Sequence, residues 1–457
     1  MSDFIVESCE RTLPLWAVTE DAWEGWLAAQ PQPVRTWLTA TGFKPEAGKH
    51  RLLPDADGGL AGAVLGLGEK ADLWCFGRLA KALPEATWRL ESGLDGEAAT
   101  QAALGWALGA YGFARYRADN KPRARLLAPQ GADAAEVRRM TEAIYMARDL
   151  INTPAGDLGP AELAEAAVSV AEAYGAEAKV IVGDDLAARN WPMVHAVGRA
   201  AARAPRLIDF AWGEASAPKV TLVGKGVCFD TGGLDIKPAS GMLRMKKDMG
   251  GGANVLALAQ MIMGAGLPVR LRVLIPAVEN AISGNAFHPG DVLPTRKGKT
   301  VEIGNTDAEG RLILCDALAE GDAEAPELML DMATLTGAAR VAVGPDLPAL
   351  FTDDDALAAD VAAAGKLVSD PSWRMPLFEP YREKLKSPVA DMNNVSESPQ
   401  GGAITAALYL KAFVEKAKSW AHIDLYAWND SDRPGRPKGG EAQAIRALYR
   451  VLKDRYG

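Results

Sequence analysis

Histidine is scarce in this chain: four occur among 457 residues (His50, His195, His288 and His422), and no HExxH is formed. The helical zinc-hydrolase signature is therefore excluded, and any metal site must rest on carboxylates. The isolated His288 and His422 are expected to be structural. Cysteine is equally sparse. Cys9, Cys75, Cys228 and Cys315 are scattered with no CxxC pair, which indicates reduced thiols and not a disulfide scaffold or a zinc ribbon. No apolar run reaches the roughly 18 residues of a spanning helix, so no membrane partner is expected. The opening residues MSDFIVESC have neither a basic stretch nor an apolar one, so export is not expected and a cytoplasmic location is.

What is present is an ordinary globular composition, 48% hydrophobic, with a formal charge of -9 from 50 Lys+Arg against 59 Asp+Glu. That balance favours solubility and argues against nucleic acid or an anionic membrane as a partner. The length is too great for one ordinary compact domain. No internal repeat or long low-complexity tract appears. The first 130 or so residues are rich in Trp, Ala and Leu, with short helical patterns such as 104–113, and carry no cluster of chemically suggestive residues. Val137, Met140, Ile144, Ala147 and Ile151 then recur at helical spacing, and Asn152-Thr153-Pro154-Ala155-Gly156 breaks the pattern.

Beyond this point short apolar runs (179–182, 206–211, 219–223, 271–275, 328–332 and 422–425) alternate with helical patterns (160–174, 253–263, 311–320 and 404–416). The spacing predicts an α/β protein of two domains. A smaller N-terminal α/β domain covers 1–131, a connecting helix covers 132–152, and a larger C-terminal α/β/α sandwich with a mostly parallel central sheet covers 153–457. In such folds ligands collect beyond the carboxyl ends of the strands.

The chemistry-bearing residues fall in that second part. Residues 224–233, GKGVCFDTGG, read as a glycine-rich turn after a strand, where backbone can approach a ligand. A phosphate cradle is the rival, but the spacing fits neither GxGxxG nor GxxxxGK[ST]. Lys237 follows, and then Asp248 just ahead of three glycines, for which close packing is the expected reason. A helix cap is the competing account of Asp248, and Lys246 and Lys247 read as a solvated face. In residues 304–312, GNTDAEGRL, the acids Asp307 and Glu309 alternate with Arg311, so an extended backbone would project all three to one side. A surface ion-pair cluster could neutralise them. The apolar residues that follow argue for burial, and buried acid pairs need a partner as strong as a metal ion. Asp230, Asp248, Asp307 and Glu309 could together hold two divalent ions, with Lys237 and Arg311 left to stabilise an oxyanion and to position an anion or water.

At these residues the chain resembles the leucyl aminopeptidase (cytosol aminopeptidase) family. VGKGVCFDTGGLDIKP (223–238), KDMGGGA (247–253), NTDAEGRL (305–312) and MATLTGA (332–338) match its motifs in order and spacing. ARDLIN (147–152), ADMNN (390–394) and GGAITAA (401–407) extend the match to about 135–430. The resemblance implies a metallo-exopeptidase that releases the N-terminal residue of peptides with a free N-terminus, through a water activated by two metal ions, Zn²⁺ or Mn²⁺. Lys225, Asp230, Asp248 and Glu309 would hold one ion; Asp230, Asp307 and Glu309 would hold the other. Lys237 would act as electrophile, and Arg311 would bind a bicarbonate that serves as general base. A homohexamer is implied as well. Met245, Thr334 and Gly337 match side-chain pocket positions. YAWN (426–429) stands where smaller or apolar residues are usual, which adds Tyr426 and Asn429 to the pocket wall, and KGGEA (438–442) replaces the usual GATG stretch. Two other readings are a DNA-binding role, which some members of the family have, and an amidase acting on a non-peptide amine.

Overall fold

The computed structural model describes residues 4–118 and 122–457. The chain divides into two compact units, Met1–Tyr145 with Asp430–Lys438, and Met146–Asn429 with Gly439–Gly457. The helix expected to connect two domains is present over Ala134–Asn152. The division falls inside it and not at its ends, and the 430–438 loop belongs to the first unit although its sequence position placed it in the second.

In the first unit, β1 (Ile5–Val6), β2 (Leu13–Val18), β3 (His50–Pro54), β4 (Leu60–Gly66), β5 (Thr87–Glu91) and β6 (Arg125–Leu127) form one sheet in the order β1-β6-β5-β2-β4-β3. Among the described residues only the β3–β4 pair of this sheet is antiparallel. The helical pattern at 104–113 is the second half of a helix over Gly96–Ala110. Gly105 lets that helix touch its neighbour: a Cβ there would lie 2.0 Å from the Leu73 carbonyl oxygen.

The second unit is built on a nine-stranded sheet. Its strands are β7 (Ala178–Val182), β8 (Arg206–Trp212), β9 (Lys219–Gly224), β10 (Gly226–Asp230) and β11 (Arg270–Asn280), followed by four from the later chain. A small separate sheet contains β12 (Val292–Pro294), β13 (Thr300–Glu302) and, later, β17 (Met392–Asn393). The main sheet is completed by β14 (Leu328–Ala333), β15 (Ala349–Phe351), β16 (Trp373–Arg374) and β18 (Ser419–Asp424), in the order β16-β15-β18-β14-β9-β11-β8-β7. The central strands β18, β14, β9 and β11 run parallel, and antiparallel pairs lie toward the edges. The continuous apolar runs of these central strands follow from burial on both faces. Val223, Leu274 and Met329 share a core with Leu312, Ile313 and Leu408 from the helices Glu309–Ala323 and Gly402–Lys411. The other face carries the helix Gly250–Gly264, which packs on β9 and β14 and against the helix Ile445–Tyr456.

One sequence reading changes here. The segment after residue 224 is not a turn: β10 resumes after a single-residue break at Lys225 and pairs in parallel with the end of β11. Val227 and Cys228 supply the buried strand residues, and the flanking glycines mask that signal. His422 is structural, as expected. It faces Asp331 across β14 and β18, with Nδ1 2.5 Å from the carboxylate, and both side chains are fully buried. His288 lies exposed in a loop beside Asp291. Among the described residues no helix is long and apolar enough to cross a membrane.

Candidate active site

The parallel strands β9, β10 and β14 deliver their chain ends to one side of the sheet, and the reactive residues follow those ends. Lys225 occupies the break between β9 and β10, and its backbone N–H donates to the Met332 carbonyl at 3.0 Å. Asp230 closes β10, and Thr334 follows β14. Asp248 lies in the helical turn Met245–Met249 that leads into the helix Gly250–Gly264. That helix can reach the strands because its first residues are glycines: a Cβ on Gly251 would stand 2.1 Å from the Met332 oxygen.

Asp230 and Asp248 are each held by one oxygen and turn the other to a lysine. Asp230 Oδ1 accepts from the Gly232 N–H at 2.8 Å and from Asn280 Nδ2 at 2.9 Å. Its Oδ2 faces the Lys237 ammonium at 2.7 Å. Asp248 Oδ1 accepts from the Thr334 hydroxyl at 2.7 Å, and Oδ2 faces Lys225 Nζ at 2.8 Å. Lys225 also lies 2.9 Å from Glu309 Oε1, and Lys237 donates to Asp307. Each lysine thus spans a pair of carboxylates. Burial opposes both ammonium charges, but Asp248 and Glu309 around Lys225, and Asp230 and Glu309 around Lys237, hold them above the ordinary lysine range. Burial likewise opposes the Asp248 charge, which Lys225 and Lys247 nevertheless keep below the usual carboxylate range.

Lys225 packs directly on the start of the helix Glu309–Ala323. A Cβ on Gly310 would fall 2.5 Å from Lys225 Cε. Gly310→Ala is therefore expected to displace this lysine from Glu309 and to lower stability by about 1–3 kcal/mol through overpacking. A urea titration of the metal-free protein checks the second effect, and a change in metal stoichiometry checks the first.

The spacing of Asp307, Glu309 and Arg311 has a different meaning from the extended one. Glu309 begins a helix, so Asp307 stands in the preceding turn and Arg311 lies within the helix. Asp307 lines the central cavity. Arg311 is buried, donates from Nη1 to the Asn394 carbonyl at 2.7 Å, and leaves Nε without a partner among the described residues. Glu309 is 1% exposed.

The acids fit a cation site on two counts. Oxygens of Asp230, Asp307 and Glu309 lie within 4.8 Å of one another. Glu309 Oε2 is buried and accepts no hydrogen bond among the described residues, while Asp248 Oδ2 and Glu309 Oε1 meet the Lys225 ammonium. Burial and the Asp230 carboxylate push Glu309 up to about 8 and Asp307 up to about 6. Close-set buried carboxyls with open lone pairs match the hard oxygen donors that divalent ions take.

The cavity measures about 670 Å³ and is lined by Lys225, Asp230, Lys237, Asp248 and Asp307, and also by Met245, Thr334, Gly337 and Tyr426. Asn429 is not in its wall. Ala427 adopts a left-handed backbone (φ 56°), Trp428 and Asn429 then pair with Gly440 and Gly439, and the Asn429 amide donates to Glu441 inside the protein. Lys246 and Lys247 do not form a solvated face. Lys247 is 5% exposed and lines the cavity, while Lys246 donates to the Asn152 carbonyl at 2.6 Å. Sequence reasoning missed Asn280, Lys247, Arg340 and Asp424. Asn280, a polar residue closing a long apolar run, was the one with a visible signal.

A parallel α/β sheet whose strand ends surround paired, buried carboxylates is the framework of a metal-dependent hydrolase. The model of the cytosol aminopeptidase family catalytic domain matches residues 145–449, and that of the M17 aminopeptidase N-terminal domain matches 13–129. The chain belongs to the cytosol aminopeptidase family and is a metallo-aminopeptidase. It is 41% identical over 368 residues to the probable cytosol aminopeptidase of Roseiflexus castenholzii, covering 77% of this chain and 75% of that one. The crystal structure of the cytosol aminopeptidase from Coxiella burnetii superposes with a TM-score of 0.95 at 49% identity, over 100% of both chains. The bottromycin maturation enzyme BotP in complex with Mn superposes with a TM-score of 0.86 at 34% identity, over 97% of this chain and 99% of that one.

Proposed function

We propose that this chain removes the N-terminal residue from peptides with a free α-amine, with two divalent cations, Zn²⁺ or Mn²⁺, held by the acidic pocket. The observation that carries the reading is the close set of acids, with oxygens of Asp230, Asp307 and Glu309 within 4.8 Å of one another and the buried Glu309 Oε2 accepting no hydrogen bond among the described residues. Lys225, Asp230, Asp248 and Glu309 would hold one ion, and Asp230, Asp307 and Glu309 the other. The ions, when bound, supply Lewis-acid polarisation of the scissile carbonyl and an activated water. Lys225 must shed its proton to serve as a ligand. Lys237, anchored by carboxylates on both sides, remains an ammonium and can stabilise charge that develops on the carbonyl oxygen. Arg311 offers a buried N–H without an acceptor, suited to a planar anion, and a bicarbonate held there would serve as general base. Met245, Thr334, Gly337 and Tyr426 would face the substrate side chain. Family membership also supports a homohexamer and a cytoplasmic location.

The purified protein is expected to hydrolyse leucine 4-nitroanilide but not its N-acetyl derivative, to lose activity on exhaustive chelation, and to regain it with Zn²⁺ or Mn²⁺. Turnover indifferent to chelation would sink the reading.

A further inference from the structure

Besides the acids, the cavity wall carries Arg244, Lys247 and Arg340, grouped around the side chain of Tyr426. Lys247 Nζ lies 4.5 Å from the centroid of the Tyr426 ring, the Arg340 guanidinium lies 5.2 Å from the same centroid, and Arg244 donates to the phenol oxygen at 3.0 Å. The ring is fixed from behind, because the backbone N–H groups of Tyr426 and Ala427 both donate to Gln443 Oε1, at 3.1 and 2.8 Å.

Lys247 is almost fully buried, yet among the described residues its ammonium has neither an ion pair nor a hydrogen bond. The nearby acids are committed elsewhere. Asp248 is engaged by Lys225 and Thr334, and Asp424 accepts from the Leu335 and Thr336 N–H groups and from the Thr336 hydroxyl. A ring face stabilises a cation only partly. An unpaired charge at the wall of a substrate cavity is costly unless an anion reaches it in the working complex. Arg340, on the short helix Gly337–Val343, adds a second cation against the same ring. Met245, Val343 and Leu347 line the same cavity with apolar surface, suited to the methylenes of a short side chain.

We infer that this pocket selects peptides whose N-terminal residue is acidic, glutamate or aspartate, with the side-chain carboxylate held between Lys247 and Arg340. The inference rests on the aminopeptidase reading and fixes the substrate class of that same site. The same cations could instead take the free C-terminal carboxylate of a dipeptide, so the test separates the two sources.

The metal-loaded enzyme is assayed on the 4-nitroanilides of glutamate, glutamine and leucine, and on Ala-Ala against Ala-Ala amide. Glutamate is expected to exceed glutamine in kcat/KM by at least about tenfold, because a site built for one polar group rejects its near-isostere. Lys247→Met and Arg340→Gln should each bring that ratio several-fold closer to one. Metal content is measured alongside, because Lys247 adjoins Asp248. Arg340 is exposed and remote in sequence from the acids, so its variant tests the inference even if Lys247→Met binds metal poorly. Leucine or glutamine cleaved as well as glutamate would overturn the inference and leave the aminopeptidase intact. A preference confined to Ala-Ala over its amide would overturn it in favour of the C-terminal carboxylate. Turnover of none of these substrates would remove both readings.

Discussion

Glu309→Ala is expected to lower kcat/KM by about 1,000-fold or more, on the order of 4 kcal/mol of transition-state stabilisation. The size follows from position. Glu309 is buried, faces Lys225, and has an oxygen within 4.8 Å of oxygens of both Asp230 and Asp307. Metal analysis should show both ions weakened. Asp307→Ala, at a side chain one-third exposed on the cavity rim, should weaken one. Metal-free Glu309→Ala should melt no lower than the metal-free parent, because a buried carboxyl crowded by other acids is a liability when unloaded. Near-parental turnover in either variant would remove these residues from the site.

Metal uptake is expected to release protons, and apparent affinity should climb steeply with pH. In the metal-free protein Glu309 holds its proton up to about 8, through burial and the neighbouring Asp230, and Lys225 is an ammonium. Both must be lost on binding, whereas Asp307, at about 6, is mostly ionised at neutral pH. Affinity should thus rise between pH 6 and 8 by up to about 100-fold per pH unit where two protons leave. Calorimetry in buffers of different ionisation enthalpy counts the protons, and an uptake with no buffer dependence would contradict the assignment. The same shift has a sign for stability. The folded state holds the Glu309 proton more tightly than the unfolded chain, so the metal-free protein should lose stability as pH rises from the ordinary glutamate range through about 8.

The sheet was legible because its central strands are buried on both faces and their apolar runs stand out between helical patterns. The acids were legible because Asp307 and Glu309 sit in a short, unusual segment ahead of an apolar helix. Other features depend on contacts that no local pattern encodes. β10 was read as a turn because Gly224, Gly226, Gly232 and Gly233 surround it, although those at 224 and 226 serve close approach between neighbouring backbones. The two-residue rhythm of 307, 309 and 311 suggested a strand, but the helix begins at Glu309, so the three side chains do not share one extended face. Lys247 looked like a surface charge because its ring partner lies in a strand-end loop far along the chain. Asn429 lies outside the cavity wall because it pairs with Gly439 and donates to Glu441, partners that no local pattern announces. The first unit's extra segment, Asp430–Lys438, is a polar run with two prolines that marks a loop but not the unit it joins.

Gln443 has a consequence for how this enzyme can diversify. Its side chain secures the Tyr426 and Ala427 backbone and the Pro345 carbonyl, and its own N–H is secured by Asn254. None of those bonds involves the Tyr426 side chain. Asp230 and Asp248, proposed as metal ligands, depend on separate supports: Gly232, Asn280 and Thr334. Residue 426 is thus an interchangeable fitting on a fixed mount, so inheritance can retune substrate choice there while the reaction chemistry stays untouched.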